Sequence, residues 1–442
     1  MHTHTWKTLI VGVCCAFGAL SGTPGRVAAD DIGELRQQLA EQRRVMELME
    51  QRLLELEGKE QTRSDKEIEY GYSQPEALRR DGLEAGDVYD GGFYVRSKDN
   101  SYSLNVNGFV QSRYTFLAPE QGGSRNNFDV ALARLAFSGT VFDPKVSYFF
   151  QFEGTTFGNS NRQTMLDWWM QYSFSDYAKV QAGRFILPYS RQFYTHPGNL
   201  LFSDLSEADY AFNLQRAVGA NLSGSLGKLS YHAVVTNSIR ALDAGGQQNV
   251  GAEVAWQGRL EYDLLEPYGY LESSPTPTAA PQLSLGVAAA FNPVDDVSGF
   301  QNVRPGDRTT NVTVDGGFRY LGLSVQAAGY YRRNNFQNAA QIGHEVGHDW
   351  GYYGQIGYYL TERLELAGRV SGVDFHFDNN VNRSNPRTRG DVREYTAGLN
   401  YYLYGHAVKL QLDYSFLDGD PFDPTRTSTG DNRFRIQTQI LF

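Results

Sequence analysis

Cysteine is nearly absent from this chain of 442 residues. The two present, Cys14 and Cys15, are adjacent and lie inside a short apolar stretch near the N-terminus. A disulfide-stapled extracellular scaffold is therefore excluded. Runs of about 20 apolar residues are also missing, which excludes a polytopic helical membrane protein. No basic tract occurs, and the net charge is -10, so a nucleic-acid binder is not expected. Methionine is scarce, with 5 residues. What is abundant is Gly (46), Tyr (28) and Phe (26), a bias toward β structure rather than a helical enzyme.

The first 29 residues read as a secretory signal peptide. Lys7 supplies the positive start, Leu9 to Leu20 the apolar core, and Val27-Ala28-Ala29 the small-residue cleavage site. The two cysteines also allow a lipoprotein reading, but Val11-Gly12-Val13 before them is a poor lipobox. Cleavage after Ala29 leaves 413 residues, no cysteine and a net charge of -12, because Lys7 and Arg26 are lost. Residues 30–57 then repeat in sevens. Ile32, Leu39, Met46 and Leu53 take one seam position, and Leu35, Gln42, Met49 and Leu56 the other. The narrow apolar seam predicts a coiled coil, and Gln42 a register-fixing polar position. An amphipathic helix packed on its own domain is the alternative. Residues 58–102, rich in charge and Gly and containing Pro75, read as a linker and entry segment.

From Ser103 to Phe442 the period becomes two. Val408, Leu410, Leu412, Tyr414 and Phe416 oppose Lys409, Gln411, Asp413 and Ser415, and similar alternation recurs in sixteen segments. They lie near 103–117, 128–141, 145–154, 164–174, 178–186, 213–225, 228–238, 249–264, 282–293, 309–320, 321–333, 348–360, 362–375, 391–403, 406–417 and 431–442. Most reach the roughly 9 to 11 residues that cross a bilayer as a tilted strand. Tight connections such as Phe142-Asp143-Pro144 and Tyr404-Gly405 alternate with long polar ones such as 187–212 and 376–390. This is the pattern of an all-β transmembrane barrel of 16 antiparallel strands. Polar residues at alternate positions need a wet lumen rather than a dry sandwich core. Aromatics such as Trp168, Tyr352, Tyr401 and Tyr414 fit interfacial girdles. One connection, 265–281, is long on the short-turn side, and nothing in the sequence accounts for it.

Four stretches resemble the phosphate-selective porin O and P family. Leu104-Asn105-Val106-Asn107-Gly108-Phe109-Val110-Gln111 is similar to its first barrel strand. Ala133-Arg134-Leu135-Ala136-Phe137-Ser138-Gly139 resembles its second, with Leu132 in place of the first Arg of a pair. Gly183-Arg184-Phe185-Ile186-Leu187-Pro188 resembles the motif before its long third loop, and Phe442 its terminus. The resemblance implies a trimeric sixteen-stranded porin of the cell outer membrane, with the third loop folded into the pore. A coiled coil before the barrel also occurs in relatives, here expected in the periplasm.

The expected function is passive diffusion of small hydrophilic solutes or ions, anions such as phosphate among them. The alternative is a structural barrel that anchors the outer membrane through its coiled coil. The expected partners are outer-membrane lipid, the solutes and two further copies of the chain, and no nucleic acid. No cofactor or catalytic group is expected. Loop 187–212 is the candidate constriction, bringing Arg191, His196, Asp204, Glu207 and Asp209. The candidate pore-lining residues are Arg113, Arg134, Arg191, Arg259, Arg319, Arg332, Arg369 and Lys409. Acidic residues on the same parity, such as Glu153, Glu261, Asp315 and Asp413, balance them. Arg113, Arg134, Arg191 and Arg259 either form an anion-attracting cluster or pair with lumen carboxylates, and pairing is the preferred reading. Arg184 and Arg216 fall on ambiguous parity and can pair at the rim or reach toward head groups. His344-Glu345-Val346-Gly347-His348 matches a zinc-protease motif. Its flanking glycines and loop position argue against the helix that motif requires, so no metal site is expected.

Overall fold

A computed structural model describes residues 29–64, 68–73, 92–120, 122–157, 160–237, 239, 253–274, 278–293, 308–335, 346–375, 391–419 and 430–442. The expected leader, up to residue 28, lies outside them. The chain divides into two units, residues 1–65 and 66–442.

The first unit is one helix, α1 (Ala29–Ser64), about 54 Å long at 1.5 Å per residue. Ala, Leu, Glu, Gln and Arg dominate it, and each favours helix. Leu39, Met46, Met49 and Leu53 of the heptad seam are exposed on it.

The second unit contains the sheet. Two short strands, β1 (Ile68–Ser73) and β2 (Gly92–Ser97), stand in the stretch expected to be linker. The barrel follows: β3 (Ser103–Pro119), β4 (Arg125–Val141), β5 (Asp143–Phe157), β6 (Ser160–Ser175), β7 (Ala178–Ile186), β8 (Arg216–Leu226), β9 (Leu229–Thr236) and β10 (Ala255–Asp263). It continues with β11 (Gln282–Asn292), β12 (Arg308–Tyr320), β13 (Leu323–Asn335), β14 (Val346–Tyr359), β15 (Leu364–Asp374), β16 (Val392–Tyr404), β17 (Val408–Gly419) and β18 (Gly430–Leu441). Each pairs antiparallel with its sequence neighbours, and β18 returns to β3, so the sheet closes with sixteen strands. Closure leaves no edge within the ring, which is the condition for a sheet to stand in hydrocarbon.

The expected alternation sorts the two faces. Along β17, Lys409, Gln411, Asp413 and Ser415 are buried inside, while Tyr414 and Phe416 are exposed outside. Along β14, Tyr353 and Gln355 are buried, and Trp350, Tyr352, Ile356 and Tyr358 are exposed. An apolar outer face and a polar inner one suit lipid outside and a polar lumen inside.

The closing seam depends on one glycine. Gly108 N–H donates to the Phe442 carbonyl at 2.8 Å, and Phe442 N–H donates to the Gly108 carbonyl at 2.9 Å. The Phe442 ring covers Gly108 so closely that a Cβ there would lie 2.2 Å from it. A side chain at 108 would displace the terminal ring that completes the ring of strands. Gly108→Leu is expected to lower the unfolding free energy by about 1–3 kcal/mol. Urea titration of the folded protein in lipid vesicles measures it, and an unchanged midpoint would refute the seam's dependence on Gly108.

Candidate functional site

The barrel interior is largely filled. After β7 the chain turns inward, and residues 187–215 cross the lumen before β8 begins. The loop's base is closed where Leu187 N–H donates to the Gln215 carbonyl at 2.9 Å. Its turns are set by local capping. Ser190 Oγ accepts from Phe193 N–H to start α2 (Arg191–Tyr194). His196 Nδ1 accepts from Gly198 N–H at a 3-10 turn opened by Pro197. Ser206 Oγ accepts from Asp209 N–H to start α3 (Glu207–Phe212). Each cap satisfies a donor that has no helical partner. Phe212, fully buried on α3, stacks on Tyr330 of β13 at 5.5 Å.

The wall holds this loop by its backbone. Arg259 donates to the Tyr189 carbonyl at 3.0 Å, Lys409 to that of Leu200 at 2.7 Å, Arg369 to that of Asp204 at 2.9 Å and Arg332 to that of Ala211 at 3.2 Å. Carboxylates take the loop's N–H groups: Asp413 accepts from Ser203 at 3.1 Å and Glu394 from Glu207 at 3.0 Å. A buried charge cluster pins the loop's entry. Arg191 lies 2.8 Å from Asp315 and 3.0 Å from Glu261, and Arg259 lies 2.7 Å from Asp315.

The connection between β10 and β11 supplies a second inserted segment. Tyr268, Glu272 and Ser273 are buried. Tyr268 fits because Gly317 has no side chain; a Cβ there would lie 2.4 Å from the ring. Arg319 donates to the carbonyls of Tyr268 and Leu271. Glu272 accepts from Leu201 N–H at 2.7 Å and from Gln192 at 2.8 Å, so this segment clasps the loop from below. The His406 ring bridges the carbonyls of Gly198 and Ser273, 3.1 Å from each. The unexplained length of this connection thus has a physical reason: its residues 268–273 reach into the barrel.

Beside β3–β5 a space remains. A cavity of about 310 Å³ separates the loop from that part of the wall. The wall contributes Arg113, Asp129, Leu132, Arg134 and Glu153, and the loop Phe193, Leu200, Asp204 and Leu205. Its arginines are paired. Arg113 meets Asp204 at 3.0 Å, Arg134 meets Glu153 at 2.7 Å, and Arg216, also on the cavity, meets Asp167 at 3.0 Å.

Of the eight candidate pore residues, Arg113 and Arg134 border this cavity. Arg259, Arg319, Arg332, Arg369 and Lys409 face inward from the wall, buried against the inserted segments, and Arg191, buried on the loop itself, reaches back to Asp315 and Glu261 on the wall. Sequence reasoning did not find Gln192, Phe193, Tyr268 or Glu272, which carry no periodic signal. His348 stands in β14, an extended strand, with Nδ1 2.8 Å from the Tyr331 hydroxyl. His344 and Glu345 lie outside the described residues. No cluster of three His, Cys, Asp or Glu residues able to hold a metal occurs among the described residues.

A closed antiparallel barrel of sixteen strands with an inward-folded loop is the architecture of an outer-membrane porin. The chain belongs to the family described as phosphate-selective porin O and P, whose model matches residues 104–442. Family and fold are those of channels rather than enzymes. Solved structures share the fold at low identity. An anion-selective porin from Comamonas acidovorans is 12% identical with a TM-score of 0.52, covering 77% of this chain and 100% of that one. OmpF of Salmonella typhi, in complex with daunomycin, is 13% identical with a TM-score of 0.53, covering 78% and 98%. The channel DcaP of Acinetobacter baumannii is 13% identical with a TM-score of 0.51, covering 79% and 99%. No curated protein sequence gives a significant match.

Two outcomes follow from this geometry. Asp315→Ala leaves Arg191 and Arg259 short of their shared buried counter-charge. It is expected to destabilise the fold by about 3–5 kcal/mol, read by urea unfolding; a change below 1 kcal/mol would show that Glu261 suffices. Asp209, outside the strands, is pushed up to about 7, first by burial and then by Glu272 and Asp315, against hydrogen bonds from Ser190 and Tyr330. A raised carboxyl binds more protons folded than unfolded, so its stabilisation is full below about pH 4 and is lost as pH rises through 7. Wild type should lose stability relative to Asp209→Asn between pH 4 and pH 8. Parallel unfolding curves for the two across that range would refute the assignment.

Proposed function

We propose that the protein is a passive diffusion channel for small hydrophilic solutes, and that solutes pass beside β3–β5. The carrying observation is the cavity there, between the wall and the loop that crosses the lumen. Arg113 and Arg134 are its pore-lining cations. A pore selects by width and by charge at its narrowest place. Arg113, Arg134 and Arg216 line this cavity together with Asp129, Glu153 and Asp204, so its lining carries no excess of either sign. Ion selectivity is weak on this reading, and phosphate has no preferred station.

The working unit is a homotrimer. Arg184 stands opposite Trp168 and Val218 in register. Trp168 packs on Phe150 and Phe152 at the outer face. A guanidinium on a lipid-facing surface costs about 2–4 kcal/mol at mid-membrane, which a subunit contact would relieve. The exposed seam of α1 supports the same assembly through a coiled coil. Short turns face the periplasm in such barrels, and β3 starts from the short-turn rim, so α1 belongs to the periplasm.

In a planar bilayer under a KCl gradient, the zero-current potential should stay near zero and change little with added phosphate. Replacing both Arg113 and Arg134 by Ala should shift it toward cation selectivity, because Asp204 and Glu153 remain. Anion-selective current blocked by phosphate would overturn the balanced-wall reading, and absence of conductance from folded barrel would overturn the channel.

A further inference from the structure

The cavity beside β3–β5 has two unlike faces. On the wall, Arg134 and Glu153 present a joined positive and negative charge, 2.7 Å apart. Opposite and around them, Phe193, Leu205 and Leu132 present apolar surface that is only half buried. Two consequences follow from elementary electrostatics and hydration. A simple anion drawn to Arg134 meets the repulsion of Glu153 at nearly the same range, so the pair offers it little. A solute carrying both an ammonium and a carboxylate aligns each end with its opposite and keeps both attractions. An apolar body on such a solute also leaves water against Phe193 and Leu205, which favours binding in proportion to the area covered. At about 310 Å³ the cavity is at the small end of ligand sites and suits one ring or branched chain.

We infer that this cavity is a binding site for small amphiphilic zwitterions, an amino-acid-like head bearing one aromatic or branched apolar group. The head lies along Arg134 and Glu153, and the body lies between Phe193, Leu205 and Leu132. The inference deepens the channel reading, since it names the solute class that dwells in the passage.

The test is calorimetric titration of the folded full-length protein in detergent with L-phenylalanine, glycine, phenylacetate and inorganic phosphate. Phenylalanine should bind at least about tenfold more tightly than glycine, which lacks the body, and than phenylacetate, which lacks the ammonium; tenfold is about the step that a lost apolar group makes in a pocket. Phe193→Ala should weaken phenylalanine by about the same factor. Glu153→Gln should reverse the preference toward phenylacetate, because the carboxylate that repels an anion and attracts the ammonium is then neutral. Equal binding of glycine and phenylalanine, or phosphate as the tightest ligand, would overturn the site. So would unchanged phenylalanine binding in both Phe193→Ala and Leu205→Ser, each checked as folded by its heat-modifiable gel mobility. KCl conductance is recorded on the same preparation. Conductance without phenylalanine binding sinks the site and leaves the channel; binding without conductance does the reverse.

Discussion

A peptide chain laid across the inside of a barrel must find partners for its own N–H and C=O groups. Left bare in so crowded an interior, each would cost free energy comparable to a lost hydrogen bond. The lumen wall meets that demand here. Arg259, Lys409, Arg369 and Arg332 donate to carbonyls of 187–215, and Asp413 and Glu394 accept from its amides. The path of the loop, the cavity left beside it and the pairing of the inward charges all follow from this constraint. A basic residue aimed into such a lumen is first a backbone partner and only then a solute contact.

The second inserted segment extends the same logic. Glu272 has no barrel strand of its own, yet it accepts from Leu201 and Gln192 on the loop. Arg319 and His406 in turn hold that segment by its carbonyls. The loop is thus gripped from the wall and from below. The wall at β4–β6 turns apolar residues inward instead: Leu132, Ala136, Phe149 and Trp169 join one buried cluster with Phe109, Ala407 and Leu441. The cavity lies beside that apolar part of the wall, against β3–β5.

Much of the fold was legible because a membrane-spanning strand must alternate. Each of the sixteen segments read from period-two patterning corresponds to one of the barrel strands, with ends off by up to several residues, and Lys409, Gln411 and Asp413 face inward as their parity required. Parity reports direction only. It could not say that Lys409 would meet a loop carbonyl while Arg134 would border open space, because the loop's path depends on contacts far apart in sequence. The same limit hid Tyr268 and Glu272, irregular chain whose place is set by a cavity at Gly317. Arg216 was ambiguous because it follows Gln215, whose φ of 57° bends the strand start and brings the guanidinium to Asp167. The strands β1 and β2 were missed because six residues amid charge and glycine give too short a pattern to separate from linker.

The hairpin of β1 and β2 bears on how the barrel chooses its size. β2 pairs with β3 at Ser103–Val106, and β18 pairs with the same side of β3 from Phe109 onward. The two occupy one edge, end to end. A slip of the last strand by two residues toward β2 would keep every polar side chain inward, so patterning alone does not oppose it. Phe93, paired with Val106, already fills the space such a slip would need. The hairpin therefore acts as a doorstop on the shear of the cylinder, and with strand number it sets the bore.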